Sequence, residues 1–160
     1  MAKDNIKTYY ALIHLVVFRC SVLVLVAKNE DDILTDFLKI YKKFGIKSEV
    51  AKQDLKEITG MIEEDVECSS LGRCIRTSSG DNIIIYYEDN IAKVPKETIV
   101  HETHHASTYV CSYRGINDEE CEAYIQEYLF HETLILIDKW NDNQKKLEDN
   151  NKKVEDNETN

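Results

Sequence analysis

Residues 9–27 form an apolar run that limits the fold more than any other part of the chain, because only His14, Arg19 and Ser21 interrupt it. An arginine near the centre of a membrane helix costs about 2.5–3.5 kcal/mol, and no small-residue cleavage site follows the run. A membrane span or secretory signal is therefore the weaker interpretation. The β-branched and aromatic residues favour two buried strands, or one bent strand, on either side of Arg19 and Cys20.

Three further segments complete the first half of the predicted fold. Apolar residues at helical spacing, acids at the start and Gly45 at the end predict a helix over residues 30–44. A weaker version of the same pattern predicts a helix over residues 48–63. Two strand-like runs predict a hairpin over residues 73–87, in which Gly80 supplies the positive φ of a tight turn.

The second half is predicted to consist of two helices and a tail. The first helix has Pro95 in its first turn and ends at Gly115. Asn117 is the predicted cap of the second helix, with Glu120 completing a capping box. Residues 142–160 lack aromatic and nearly all apolar side chains, so we expect a disordered polar tail there.

Length, charge and cysteine content narrow the class of protein. A chain of 160 residues fits one domain, which we place at residues 1–141. The net charge of −10 argues against nucleic acid or an anionic membrane as the main partner and favours a polypeptide substrate or partner protein. The cysteines are odd in number and contain no C-x-x-C pair, so we expect a reducing, cytoplasmic location. They are Cys20, Cys68, Cys74, Cys111 and Cys121.

His101, Glu102 and His105 form an H-E-x-x-H motif within the first of these two helices. At about 100° per residue, the two histidines project from nearly the same helix face and can bind one tetrahedral cation. Glu102 points about a quarter-turn away, where a general base can take a proton from a metal-bound water without binding the metal. His104 lies off the metal direction and is predicted to be a surface or supporting residue.

The motif and its surroundings resemble the gluzincin class of zincin metallopeptidases, in which a Glu on the next helix completes the site. More narrowly, the chain is similar to small metallopeptidase-like proteins encoded by tailed phages, with the pattern H-E-x-x-H-A, a turn with Gly, then E-x-x-A-Y. Here HETHHA occupies 101–106, Gly115 lies in the turn, and ECEAY occupies 120–124. The resemblance covers roughly residues 72–130. It implies host-cytoplasmic location if the chain is phage-encoded, and a third zinc ligand at Glu120.

Two neighbouring acids, Glu119 and Glu122, remain rivals for this ligand position. Glu120 shares a helix face with Tyr124, whereas Glu122 lies about 200° around the helix, and this geometry favours Glu120. Tyr124 stands one turn after Glu120, where gluzincins commonly place a residue that supports the site.

The predicted fold is therefore α+β and zincin-like, with a small twisted sheet, an H-E-x-x-H helix and a glutamate-bearing helix. The predicted function is peptide hydrolysis with one Zn²⁺ held by His101, His105 and Glu120 and with Glu102 as general base. Residues 83–87 are predicted to present a sheet edge to an extended substrate. The alternative is a non-catalytic, zinc-stabilised or degenerate domain that binds a partner protein.

Overall fold

A computed structural model describes the backbone of residues 6–64, 72–78, 82–87 and 95–158, and the side chains of residues 6–61, 72–78 and 95–146. The chain is a mixture of helices and strands, in agreement with the α+β class. The strands are β1 (Tyr9–Leu15), β2 (Cys20–Ala27), β3 (Gly72–Arg76) and β4 (Asn82–Tyr87). The helices are α1 (Glu30–Lys43), α2 (Ser48–Glu64), α3 (Lys96–Arg114) and α4 (Glu119–Glu158).

The apolar run at residues 9–27 forms two strands, as predicted. β1 and β2 pair antiparallel through a short 3-10 turn at Val16–Phe18, and Arg19 closes that turn with φ at 51°. In β2, Val22, Val24 and Val26 face one core while Leu23, Leu25 and Ala27 face another. Burial on both faces explains why the strand is apolar without alternation. Within the described residues, no helix is long and apolar enough to cross a membrane.

The four strands form one sheet in the order β1-β2-β4-β3. β4 pairs parallel with β2 and antiparallel with β3, so the predicted hairpin at residues 73–87 is confirmed. The prediction that residues 83–87 form a sheet edge is wrong, because β4 is hydrogen-bonded on both sides. The edges are β1 and β3. Gly80, the predicted turn glycine, lies outside the described residues.

Helices cover both faces of the sheet, which gives three layers. The predicted helices over 30–44 and 48–63 correspond to α1 and α2, which bury Phe37, Tyr41 and Ile58 against one face. Helices α3 and α4 pack on the other face around Val24 and Leu129. The Asn29 side chain caps α1 by accepting a hydrogen bond from the Asp32 N–H at 2.9 Å.

The corner between α3 and α4 follows the prediction in part. Pro95 immediately precedes α3, and Gly115 ends it in the left-handed conformation at φ 66°. The cap of α4 is Asp118 rather than Asn117, since its carboxylate accepts hydrogen bonds from the backbone N–H groups of Glu120 and Cys121. The cap lies directly before the first helical residue, which is one position later than the sequence indicated.

The C-terminal segment differs from the disordered tail that we predicted for residues 142–160. Helix α4 continues to Glu158, and residues 159–160 lie outside the described residues. Starting a helix is the unfavourable step, whereas extending one adds a hydrogen bond for each residue fixed. The packed part of α4, which ends near Trp140, supplies that start. Composition alone therefore underestimated the tendency of the segment to be helical.

Candidate metal centre on helix α3

Helix α3 buries an unusual number of polar side chains. Glu102, Thr103 and Ser107 lie in its buried face beside aliphatic residues. The two hydroxyl groups are satisfied within the helix, because Thr103 donates to the Ile99 carbonyl at 2.8 Å and Ser107 donates to the His104 carbonyl at 2.8 Å. Back-bonding of this kind lets small polar residues occupy a packed helix face. Glu102 is the acidic residue of this buried face.

The two motif histidines converge on the outer face of α3. The Nε2 atoms of His101 and His105 are 3.1 Å apart, and the two rings are nearly perpendicular at 88°. Two ligands of a tetrahedral zinc ion, each at about 2.0–2.1 Å, lie about 3.3 Å apart. The observed separation is close to that spacing, and it also equals the length of a hydrogen bond between the two rings. This spacing arises from one helical turn and needs no movement of the backbone.

A tyrosine supports the second histidine. The ring of Tyr109 is stacked with that of His105, at a centroid separation of 6.2 Å and an interplanar angle of 21°. Tyr109 follows His105 by four residues, so both side chains lie on the same helix face. The sequence did not single out Tyr109 for this role, although the spacing was a usable signal. The Tyr109 ring therefore lies beside the His105 ring and nearly parallel to it.

Glu102 lies between α3 and the edge strand β3. It is 7% exposed. Burial raises the pKa of the Cys74 thiol on β3 to about 12, and the negative charge of Glu102 adds to this rise. Further along the same flank of α3, the Arg76 guanidinium of β3 sits 5.5 Å from the centroid of the Tyr113 ring. The carboxylate of Glu102 is thus held on the β3 side of the histidine pair.

Glu120, the predicted third ligand, is not brought to the histidine pair. Its exposed side chain lines a groove beside the β1–β2 turn, together with Val16 and Tyr124. Helix geometry was correct in grouping Glu120 with Tyr124, but their shared face does not point toward α3. Within the residues that the structure describes, no group of three or more His, Cys, Asp or Glu side chains is arranged to hold a metal ion.

The acid of α4 that contacts α3 is Glu122. Its Oε1 atom accepts a hydrogen bond from the Thr108 hydroxyl at 2.5 Å and lies 3.8 Å from Nδ1 of His104. One turn further along α4, the Gln126 side chain donates to the Val100 carbonyl at 3.4 Å. Of the rivals weighed from the sequence, Glu122 is therefore the one on the α3-facing side, while Glu119 is exposed at the first position of α4.

Comparisons with known proteins give no relative for this chain. No family model matches it, and neither a curated protein nor a solved structure does.

Proposed function

We propose that this protein is a zinc-dependent hydrolase of zincin-like fold that cleaves peptide bonds, with one Zn²⁺ bound by His101 and His105. The observation that carries the proposal is the 3.1 Å separation of the two Nε2 atoms. The spacing fits neighbouring corners of a tetrahedral zinc ion.

Glu102 is the general base in this proposal. When bound, zinc supplies a Lewis acid that polarises a carbonyl group and makes water more acidic. The Glu102 carboxylate takes the proton of the attacking water and delivers it to the nitrogen of the departing amine. Its buried position beside β3 keeps it off the exposed face that His101 and His105 share. A carboxylate at that position can act on the water while the histidines act on the metal.

The third protein ligand in this proposal comes from α4. A catalytic zinc site needs three protein ligands and one open position. Glu122 is the candidate that the contacts support, since its carboxylate already lies against Thr108 and near His104 on α3. Glu120 serves as the comparison residue, because it lies on the same helix but faces the groove. Zinc affinity of Glu122→Ala and Glu120→Ala distinguishes the two, and we expect only the first to weaken binding.

The substrate strand in this proposal pairs with β3. This strand is an edge of the sheet and lies on the same side of α3 as Glu102. An extended peptide can add to such an edge through main-chain hydrogen bonds. In this proposal β3, and not residues 83–87, is the strand that pairs with the extended substrate.

The test combines zinc content with turnover. Elemental analysis should give one zinc per chain for the wild-type protein and for Glu102→Gln, and none for His105→Ala. Cleavage of a fluorogenic peptide mixture by Glu102→Gln should fall by about 10²–10⁴-fold, which is the usual contribution of a general base. Full zinc content with unchanged turnover in Glu102→Gln would refute the catalytic role of Glu102.

A second function is favoured by one specific observation, namely that no group of three or more His, Cys, Asp or Glu side chains among the described residues is arranged to hold a metal ion. A two-histidine site without a third protein ligand would make the protein a degenerate or zinc-stabilised domain that binds a partner. In that case the wild-type protein would bind zinc but show no turnover. Partner binding would then be insensitive to Glu102→Gln.

A further inference from the structure

A groove lies between the β1–β2 turn and the first turns of α4, on the side of α4 that faces away from the histidine pair. It has a volume of about 540 Å³. We call it the turn groove. Its walls include Val16, Val17, Phe18, Glu120, Tyr124 and Tyr128.

Both walls of the turn groove expose large apolar side chains. Val16 and Val17 are 80% and 88% exposed, and Tyr124 and Tyr128 on α4 are 68% and 46% exposed. Single exposed apolar residues are ordinary, whereas a contiguous exposed patch commonly marks an interaction site. Four such side chains around one hollow form a patch of this kind.

The β1–β2 turn, which carries Val16 and Val17, is held in place by the residues on either side of it. Leu15, directly before the turn, is buried in the core. The carbonyl of Arg19, directly after the turn, accepts a hydrogen bond from Nη2 of Arg114 at 2.6 Å. The two valines are therefore held outward by the fold, and their exposure is a property of a fixed turn.

The charge of the groove is negative. Asp118 and Glu120 lie at one end, and beyond Tyr124 and Tyr128 a second hollow of about 530 Å³ is lined by Glu127 and Glu132. Among the described residues that line the two hollows there is no Lys or Arg. Acidic groups beside an apolar surface attract a cationic apolar partner.

We propose that the turn groove binds an amphipathic, lysine- or arginine-bearing segment of a partner protein. Apolar side chains of that segment cover the valines and tyrosines, and its cations meet Asp118 and Glu120. A second copy of this chain fits poorly, because the net charge of −10 makes two copies repel each other. An anionic membrane is repelled for the same reason.

This proposal does not depend on the zinc site. Glu120 and Tyr124, which resembled parts of a metal site in the sequence, obtain a different role as neighbours on the wall of the turn groove. Variants in the groove should leave zinc binding unchanged, so each of the two proposals can fail without the other.

The probe is a fluorescent peptide of leucine and lysine about 15 residues long, sufficient for an amphipathic helix. A control peptide, the glutamate twin, has glutamate in place of every lysine. Binding is measured by fluorescence anisotropy at about 0.15 M ionic strength, where distant charges are screened. The full-length wild-type chain should bind the lysine peptide and not its twin.

Matched variants distinguish binding in the turn groove from attraction to the overall negative charge of the protein. Glu120 and Glu49 are both exposed and both occupy the second position of a helix, so Glu120→Lys and Glu49→Lys change charge and helix environment alike. We expect Glu120→Lys to lower the affinity for the lysine peptide about fivefold, because exposed charge pairs contribute modestly to binding. Glu49→Lys should leave this affinity nearly unchanged. Tyr124→Ala should weaken it by about tenfold or more, whereas Leu38→Ala, at an exposed leucine of α1, should not.

Three results would overturn the proposal. The first is equal weakening by Glu120→Lys and Glu49→Lys, which would mean that the peptide responds only to net charge. The second is binding of the glutamate twin as tightly as the lysine peptide. The third is a wild-type dimer in sedimentation that Val17→Ser dissociates, which would make a second copy the occupant.

Discussion

Helices α1 and α3 cover opposite faces of the same sheet, but they bury different kinds of residue. The buried face of α1 consists of Ile33, Phe37, Ile40 and Tyr41 with one acid, Asp36. The buried face of α3 includes Glu102, Thr103 and Ser107, and its outer face carries His101. Apolar burial provides most of the stabilisation in a fold.

The difference indicates that the two helices have different tasks. Asp36 in α1 is surrounded by donors, since the Lys7 and Thr8 backbone N–H groups and the Lys39 ammonium all reach its carboxylate at 2.6–3.0 Å. Glu102 in α3 instead lies near the Cys74 thiol, whose pKa is raised mainly by burial and further by the Glu102 charge. Local departures from good packing rules tend to occur at functional sites. The comparison therefore supports the proposal that α3 carries the site, while α1 has the packing of a structural helix.

The largest expected effect concerns the apolar face of α1. Phe37 is fully buried against Tyr41, with the ring centroids 4.2 Å apart. Phe37→Ala should lower the free energy of unfolding by about 3–5 kcal/mol, because it removes apolar burial and leaves a cavity. Urea denaturation measures this loss. Leu38→Ala is the matched control at the exposed neighbouring position, and a comparable loss there would contradict the assigned packing.

The second effect concerns zinc and the outer face of α3. A ligand that binds only the folded state at about 100 times its dissociation constant adds about 2.7 kcal/mol to the free energy of unfolding. We expect this gain for the wild-type protein and for His104→Ala, and none for His105→Ala. Thermal denaturation with and without zinc measures the shift. An equal response of His104→Ala and His105→Ala would argue against the histidine pair as the site.

The third effect concerns Asp36. Burial opposes ionisation of this carboxyl, but hydrogen bonds from the Lys39 side chain and from the Thr8 and Lys7 backbone outweigh it, so its pKa lies below the ordinary value. Asp36→Asn should cost about 1–3 kcal/mol at neutral pH, the range for losing hydrogen bonds to a buried charged group.

The pH dependence of that cost has a definite sign. Because the folded-state pKa of Asp36 is depressed, its contribution is complete above the unfolded-state pKa and is lost as the pH falls through the folded-state pKa. The difference in free energy of unfolding between the wild type and Asp36→Asn should therefore disappear below about pH 4. Urea denaturation across this range tests it, and a gap that stays constant with pH would contradict the assignment.

Much of the fold could be predicted from the sequence because the signals were local. The strands β1 and β2 follow from a β-branched run, and α1 follows from its acids, its apolar spacing and Gly45. The strand order was not predictable in the same way. The parallel pairing of β2 with β4 joins residues far apart in sequence, and neither strand carries a local sign of its neighbours.

The candidate site shows the same limit. The i, i+4 spacing of His101 and His105 was enough to predict their convergence, because one helix determines it. The direction of Glu120 depends instead on how α4 packs beside α3 after the corner at Gly115. Spacing within α4 grouped Glu120 with Tyr124 correctly, but could not reveal that their face adjoins the β1–β2 turn.

The smallest expected effect is also the most direct test of the comparison, since it applies one substitution to both buried acids. Glu102→Gln removes the charge of a carboxylate near the buried Cys74 thiol, whereas Asp36→Asn removes the charge from a carboxylate that accepts three hydrogen bonds. Burying a charge is costly, and catalytic groups are often kept at the expense of stability. Glu102→Gln should therefore change the free energy of unfolding by less than about 1 kcal/mol, or increase it. If urea denaturation gave a loss as large as that of Asp36→Asn, Glu102 would be a structural acid like its counterpart, and the distinction between α1 and α3 would fail.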